Sequence, residues 1–95
     1  MNIYNYEKLE CISPAQIENY LNEHGWRKKI VVEEVSVWIY KRQDRIFGLF
    51  LPLNINFVDY RNRVVEILDI LQKAEKRSQE EILKFIEIQS NIVSP

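Results

Sequence analysis

The residues able to move protons or attack an electrophile are few, and their spacing does not bring them together. His24 is the only histidine and Cys11 the only cysteine in the 95 residues. A general base needs a partner to orient it or to receive its activation, and no Ser, Cys or Asp stands near His24 at a useful local spacing. The pattern instead puts His24 in the last turn of a helix, where a partly cationic imidazole stabilises the C-terminus. Cys11 falls beyond the opposite end of that helix and suits a small buried hydrophobe. A single cysteine forms no intrachain disulfide, and a cysteine-based metal site would need three other ligands. The adjacent acids Glu33-Glu34 fall where a hairpin should turn and Glu80-Glu81 in the first turn of a helix, two solvated places that explain their charge without chemistry. No metal site, cofactor motif or phosphate loop is legible, so the expectation is a protein that is not an enzyme.

A binding surface is the better expectation. Arg27, Lys29, Lys41, Arg42 and Arg45 cluster on or between predicted strands, with Trp26, Trp38 and Tyr40 interleaved. Bases plus aromatics can stack on nucleobases and pair with phosphates, and the same composition marks protein–protein hot spots. Trp38 and Tyr40 also fit a core. Plain packing is favoured over a protein partner, and a protein partner over RNA, because the net charge is only −1 and nucleic-acid binders usually carry a strong positive balance. The one basic segment is residues 26–45, with six Lys or Arg against three acids; residues 1–25 carry one against four.

The elements that must hold these residues read as follows. Residues 1–12 form an N-terminal arm or an edge strand. Ser13-Pro14-Ala15-Gln16 is a capping box with Pro at the first helical position, Ile12 and Ile17 form the staple around it, and Gly25 is the left-handed stop, giving a helix over 14–24. Residues 26–33, 35–41 and 46–51 predict three antiparallel strands, the second with an aliphatic face (Val35, Val37, Ile39) and an aromatic and polar face (Ser36, Trp38, Tyr40). Asn56 predicts the N-cap of a long helix running to Lys76, whose stripe of Phe57, Tyr60, Val64, Ile67, Leu71 and Ala74, widened by Val58, Val65 and Leu68, should cover the sheet. Ser78-Gln79-Glu80-Glu81 is a second capping box, so a separate short helix and, from Ser90, a loose tail occupy 78–95. Ile82, Phe85 and Ile86 give that helix an apolar face able to swing out and meet a partner.

The expected fold is therefore α+β, one domain over residues 1–95, in the order α-β-β-β-α-α, with a three-stranded antiparallel sheet and helices on one face. An apolar fraction of 46% and a charged fraction of 28% are ordinary for a globular chain. The longest apolar run, Ile46 to Leu53, is too short to span a bilayer and no leader pattern opens the chain, which suits a cytoplasmic protein.

Gly25-Trp26 at the helix end and Pro52 after the third strand resemble the outline of the small HicA-type toxins over residues 17–53, a resemblance that implies a double-stranded-RNA-binding-like fold. Where that family carries its catalytic His after Ser, this chain reads Ser36-Val37-Trp38, which argues against nuclease activity. Leu51-Pro52, Asp59-Tyr60, Arg63, Glu75-Lys76-Arg77-Ser78 and Ile82-Leu83 resemble a set of small uncharacterised bacterial proteins, a likeness that implies an intracellular bacterial protein and no particular activity. Apolar residues are too numerous for one face of so small a sheet. The leading expectation is thus a non-enzymatic interaction module, antitoxin-like or an adaptor from a small bacterial operon, working through a protein partner or self-association, possible as a homodimer. The alternative is a catalytically dead, HicA-like RNA binder. No cofactor, metal or membrane is expected for either.

Overall fold

The computed structural model describes the backbone of residues 12–93 and the side chains of residues 12–88. The N-terminal arm or edge strand and Cys11 lie outside the described residues. The element order is α1 (Pro14–Glu23), β1 (Arg27–Val32), β2 (Val35–Arg42), β3 (Arg45–Pro52), α2 (Tyr60–Glu75) and α3 (Gln79–Val93). The strands form one antiparallel sheet in the order β1-β2-β3, and α2 packs on β3 while α3 packs on α1 and α2. This is the expected α+β architecture, with the sheet against helices. No helix among the described residues is long and apolar enough to cross a membrane.

Local chemistry accounts for the ends of α1. The Ser13 hydroxyl accepts from the Gln16 N–H at 3.2 Å, and the Gln16 side chain accepts from the Ser13 N–H at 2.8 Å. At the other end Gly25 takes φ +90°, a conformation that only glycine adopts without strain. The Trp26 N–H then turns back to donate to the Leu21 carbonyl at 3.0 Å, which satisfies a carbonyl the helix leaves free.

Two hairpins build the sheet. Val32 faces Val35 and Arg42 faces Arg45, so each turn has two residues, and the first of each, Glu33 (φ 55°) and Gln43 (φ 56°), is left-handed. A bulge in β1 between Lys28 and Ile30 breaks the simple alternation expected there. Lys28 lies opposite Trp38, whereas Arg27, Ile30 and Val32 lie opposite Ile39, Val37 and Val35. Directly opposed residues share a face, so Ile30 and Val32 join the aliphatic side of β2.

The long helix begins later than Asn56 would place it. The Asn54 side chain accepts from the Asn56 N–H at 2.8 Å and its carbonyl accepts from the Phe57 N–H at 2.9 Å, an Asx turn that satisfies these groups locally. Asp59 is left-handed at φ 60°, which ends that turn and delays the helix to Tyr60. Its far end matches expectation: Lys76 is left-handed at φ 58°, and the Ser78 hydroxyl accepts from the Glu81 N–H at 3.1 Å to cap α3.

Two expectations about α3 need correction. It is 15 residues long and continues to Val93, where a tail was expected from Ser90. It also does not stand off from the body: Ile82 and Ile86 are fully buried and Phe85 is half-buried. The physical reason is α1, whose Ile17, Tyr20 and Leu21 are buried and which α3 covers.

Candidate functional site

A buried knot of polar groups ties the first helix to the junction of the last two. The Glu75 carboxylate, only 4% exposed, accepts from the Tyr20 hydroxyl and from Trp26 Nε1 at 2.8 Å, and Arg77 Nε stands 3.4 Å away. Burial, with the Glu75 hydrogen bond next, holds the Tyr20 phenol well above its ordinary pKa. Tyr60 donates to the Ile12 carbonyl at 2.6 Å, and burial pushes its pKa up to about 12. Both phenols stay neutral in physiological conditions, donate, and hold the chain together.

His24 belongs to the same structural fabric. Its ring stacks on Tyr20 with centroids 3.9 Å apart, Nδ1 donates to the Tyr20 carbonyl at 2.8 Å, and Phe85 closes the other side at 5.5 Å. Glu33 and Glu34 are exposed in the first hairpin turn and Glu80 and Glu81 in the first turn of α3. Among the described residues, no group of three His, Cys, Asp or Glu is placed to hold a metal.

The expected basic and aromatic surface is divided between two faces. Trp38 is 0% exposed and its indole N–H donates to Ser36 Oγ at 2.8 Å, whose hydroxyl donates to the Leu51 carbonyl at 3.3 Å. Trp38 is therefore core, not binding surface. Tyr40 is half-buried on the same inner side and stacks on buried Trp26 with centroids 5.0 Å apart. Arg42 donates from Nη1 to the Ala74 carbonyl at 3.2 Å, capping the end of α2, and Arg45 lies over the Phe47 ring. These two arginines join Lys73 and Lys76 around a cavity of about 100 Å³. Arg27 and Lys41 stand on the other face, opposite Ile39 and Ile46 in register, and Lys29 is exposed at the bulge. The aromatics needed for stacking thus face the helices.

What the sheet turns outward is its aliphatic side. Three rows cross the strands in register: Val32, Val35 and Pro52; Ile30, Val37 and Phe50; Arg27, Ile39 and Gly48. Lys41 and Ile46 close the far end. Ile30 is 55% exposed and Ile46 and Phe50 each 65%. Gly48 leaves a dip, into which the Ile39 side chain reaches: a Cβ placed on Gly48 would meet Ile39 Cδ1 at 3.6 Å. At the Pro52 end the face runs into an apolar groove of about 380 Å³, walled by Val35, Phe50, Pro52, Phe57 and Val58, with Asp59 and Arg63 at its rim.

Magnitude decides the significance of this face. Burying a large apolar side chain contributes about 1.5–3 kcal/mol, so at their present exposures Ile30, Val32, Ile46 and Phe50 leave about 4–7 kcal/mol of burial unrealised. Three strands of this length present roughly 300–350 Å² in projection, the size at which apolar patches on single-chain proteins are often functional.

The chain matches no protein-family model, no curated protein and no solved structure. The site therefore speaks through its own geometry. The residues that form the outer face were legible only as a pattern: β3, Ile46-Phe47-Gly48-Leu49-Phe50-Leu51, is apolar at both parities, as strands covered on both faces are.

Proposed function

We propose that this chain is a non-enzymatic protein-interaction module, an adaptor or antitoxin-like component, that binds a protein partner through the outer face of its sheet. One observation carries the reading: all three strands present aliphatic or aromatic side chains on the face away from the helices, and Ile30, Val32, Ile46 and Phe50 among them are more than half exposed. Among the described residues only the Pro52 end is covered, by the segment carrying Phe57 and Val58. Antiparallel sheets with one solvated face normally alternate apolar and polar residues. Here the outward positions of the two rows nearest the first hairpin turn, Val32, Val35 and Pro52 and Ile30, Val37 and Phe50, are apolar throughout. Arg27, Lys41 and the hairpin acids Glu33 and Glu34 surround them, which gives the apolar centre and charged rim common to protein interfaces.

The RNA-binding alternative draws support from the four cations around the cavity at the end of α2. It is the weaker reading, since Trp38 is buried and sequence-tolerant binding of single strands relies on exposed aromatic platforms.

Affinity capture from the source cells tests the proposal. Wild-type chain should retain a discrete protein, whether another gene product or a second copy, that Phe50→Glu loses and Lys84→Glu, at an exposed position of α3, keeps. Equal retention by Phe50→Glu, with its fold intact by circular dichroism, would refute the reading.

A further inference from the structure

The outer face carries opposite charge at its two ends. Glu33 and Glu34 form the turn at one end, and Arg27 and Lys41 stand at the other, level with Ile39 and Ile46. Strands of six to eight residues separate those ends by about 20–25 Å, roughly twice the Debye length at 0.1 M salt. The face is thus a dipole with an apolar middle.

We infer that a second copy of this chain covers the outer face, sheet on sheet, with the strands of the two copies antiparallel. The inference rests on the outer face being the binding surface proposed above and names its occupant. Closed dimers place the same patch on both subunits, so the patch must complement itself. A two-fold axis lying between the sheets and perpendicular to the strands meets that condition. It sets the Glu33–Glu34 turn of each copy over the Arg27 and Lys41 end of the other, two matched contacts per dimer. The other in-plane axis, parallel to the strands, would set cations on cations and acids on acids, an arrangement that opposes association.

The alternative of extending the sheet edge to edge is blocked at β1. That edge carries Arg27, Lys28 and Lys29 in succession and a bulge between Lys28 and Ile30, the devices by which proteins protect exposed strand edges. The face has no such protection: between its charged ends lie only Ile30, Val32, Val35, Val37 and Phe50 with Pro52. In a sandwich with sheets about 10 Å apart, the row Ile30, Val37 and Phe50 is the centre of contact. Two footprints of roughly 300–350 Å², enlarged by the groove wall at Val58, stay below the ~1,200 Å² at which specific complexes become stable, which makes the association a weak and reversible one. The dimer should therefore depend on concentration.

Sedimentation velocity over a 1,000-fold concentration range, on the full chain (~10³ is ample for micromolar association), tests the occupant. The mass should rise from 11.5 kDa towards twice that value, Phe50→Glu should stay monomeric with an unchanged far-ultraviolet spectrum, and raising salt should weaken the association. Single-cysteine chains on a Cys11→Ser background test the orientation. Glu33→Cys should form a disulfide with Lys41→Cys chains and not with its own kind; like-with-like disulfides would overturn the antiparallel arrangement. A wild-type monomer at every concentration overturns the inference. If that monomer still captures a different protein in a Phe50-dependent way, the broader reading of the face stands alone; if it captures nothing, both fail.

Discussion

Replacing Glu75 with leucine should remove a large share of the stability of this domain. Its carboxylate accepts from Tyr20 and Trp26 and faces Arg77 Nε, all at a side chain 4% exposed. Leucine conserves bulk but leaves two buried donors without an acceptor, each costing about 1–3 kcal/mol, and takes from Arg77 one of its two carboxylate partners, Glu81 remaining at 3.5 Å. Arg77 is 36% exposed and adds little, so the two orphaned donors set the expected loss at about 2–6 kcal/mol. A domain of this length has roughly 5–14 kcal/mol in total, so the variant should unfold at a urea midpoint lower by on the order of 2 M. Tyr20→Phe provides the internal comparison. It deletes one donor while Trp26 still satisfies the carboxylate, and should cost only about 1 kcal/mol. Urea titrations of the three proteins, followed by tryptophan fluorescence, measure both numbers. A Glu75→Leu loss below about 1 kcal/mol, or one no larger than that of Tyr20→Phe, would refute the view that this carboxylate joins α1 to the α2–α3 junction.

Alkaline pH should destabilise the fold through its buried phenols. Tyr60 is raised from its usual value to about 12 by burial, so its contribution is complete below pH 10. Between about 10 and 12 the unfolded chain releases a proton the folded chain keeps, and stability falls by about 1.4 kcal/mol per pH unit. Tyr20, raised in the same direction, adds a second proton of the same slope in that window and prolongs the fall beyond it. Tyr60→Phe should flatten the slope of stability against pH in that window, and an unchanged slope would contradict the assignment. Lys76→Gly should raise the melting temperature by about 2–6 °C, because a left-handed backbone costs a side-chain-bearing residue about 1–2 kcal/mol, partly offset by the entropy of glycine; calorimetry reads the change. RNA titrated at two salt concentrations should show no steep salt dependence of the kind phosphate contacts produce.

Much of this fold is legible in the sequence because local chemistry sets it. Ser13 to Gln16 and Gly25 mark the ends of α1, Glu33-Glu34 marks the first hairpin turn, and the polar run from Arg42 to Arg45 marks the second, which pairing of Arg42 with Arg45 narrows to Gln43-Asp44. The stripe of α2 from Tyr60 to Ala74 is buried as its spacing requires. The orientation of the sheet is a different matter, since β2 offers an apolar side at either parity. Long-range packing chooses: Trp38 fills the space beneath the helices, and Ser36, two residues before it on the same face, gives the indole N–H its partner. A serine two positions from a tryptophan in a strand is the signal that marks the inner face. The bulge at Lys28 to Ile30 leaves no such mark, yet it brings Ile30 and Val32 to the outer side. The expectation that Ile82 and Ile86 meet a partner fails for a related reason: a capped amphipathic helix looks the same whether it covers α1 or another chain.

A photo-reactive phenylalanine analogue placed at position 50 in the intact chain, and irradiated in the source cells, reports whether the outer face meets a partner. Phe50 lies on the outer face opposite Val37, so one adduct of discrete mass should form, absent when the same group replaces the exposed Lys84 of α3. A folded chain labelled at position 50 that yields no adduct would show that the face meets water alone and would contradict the proposed function.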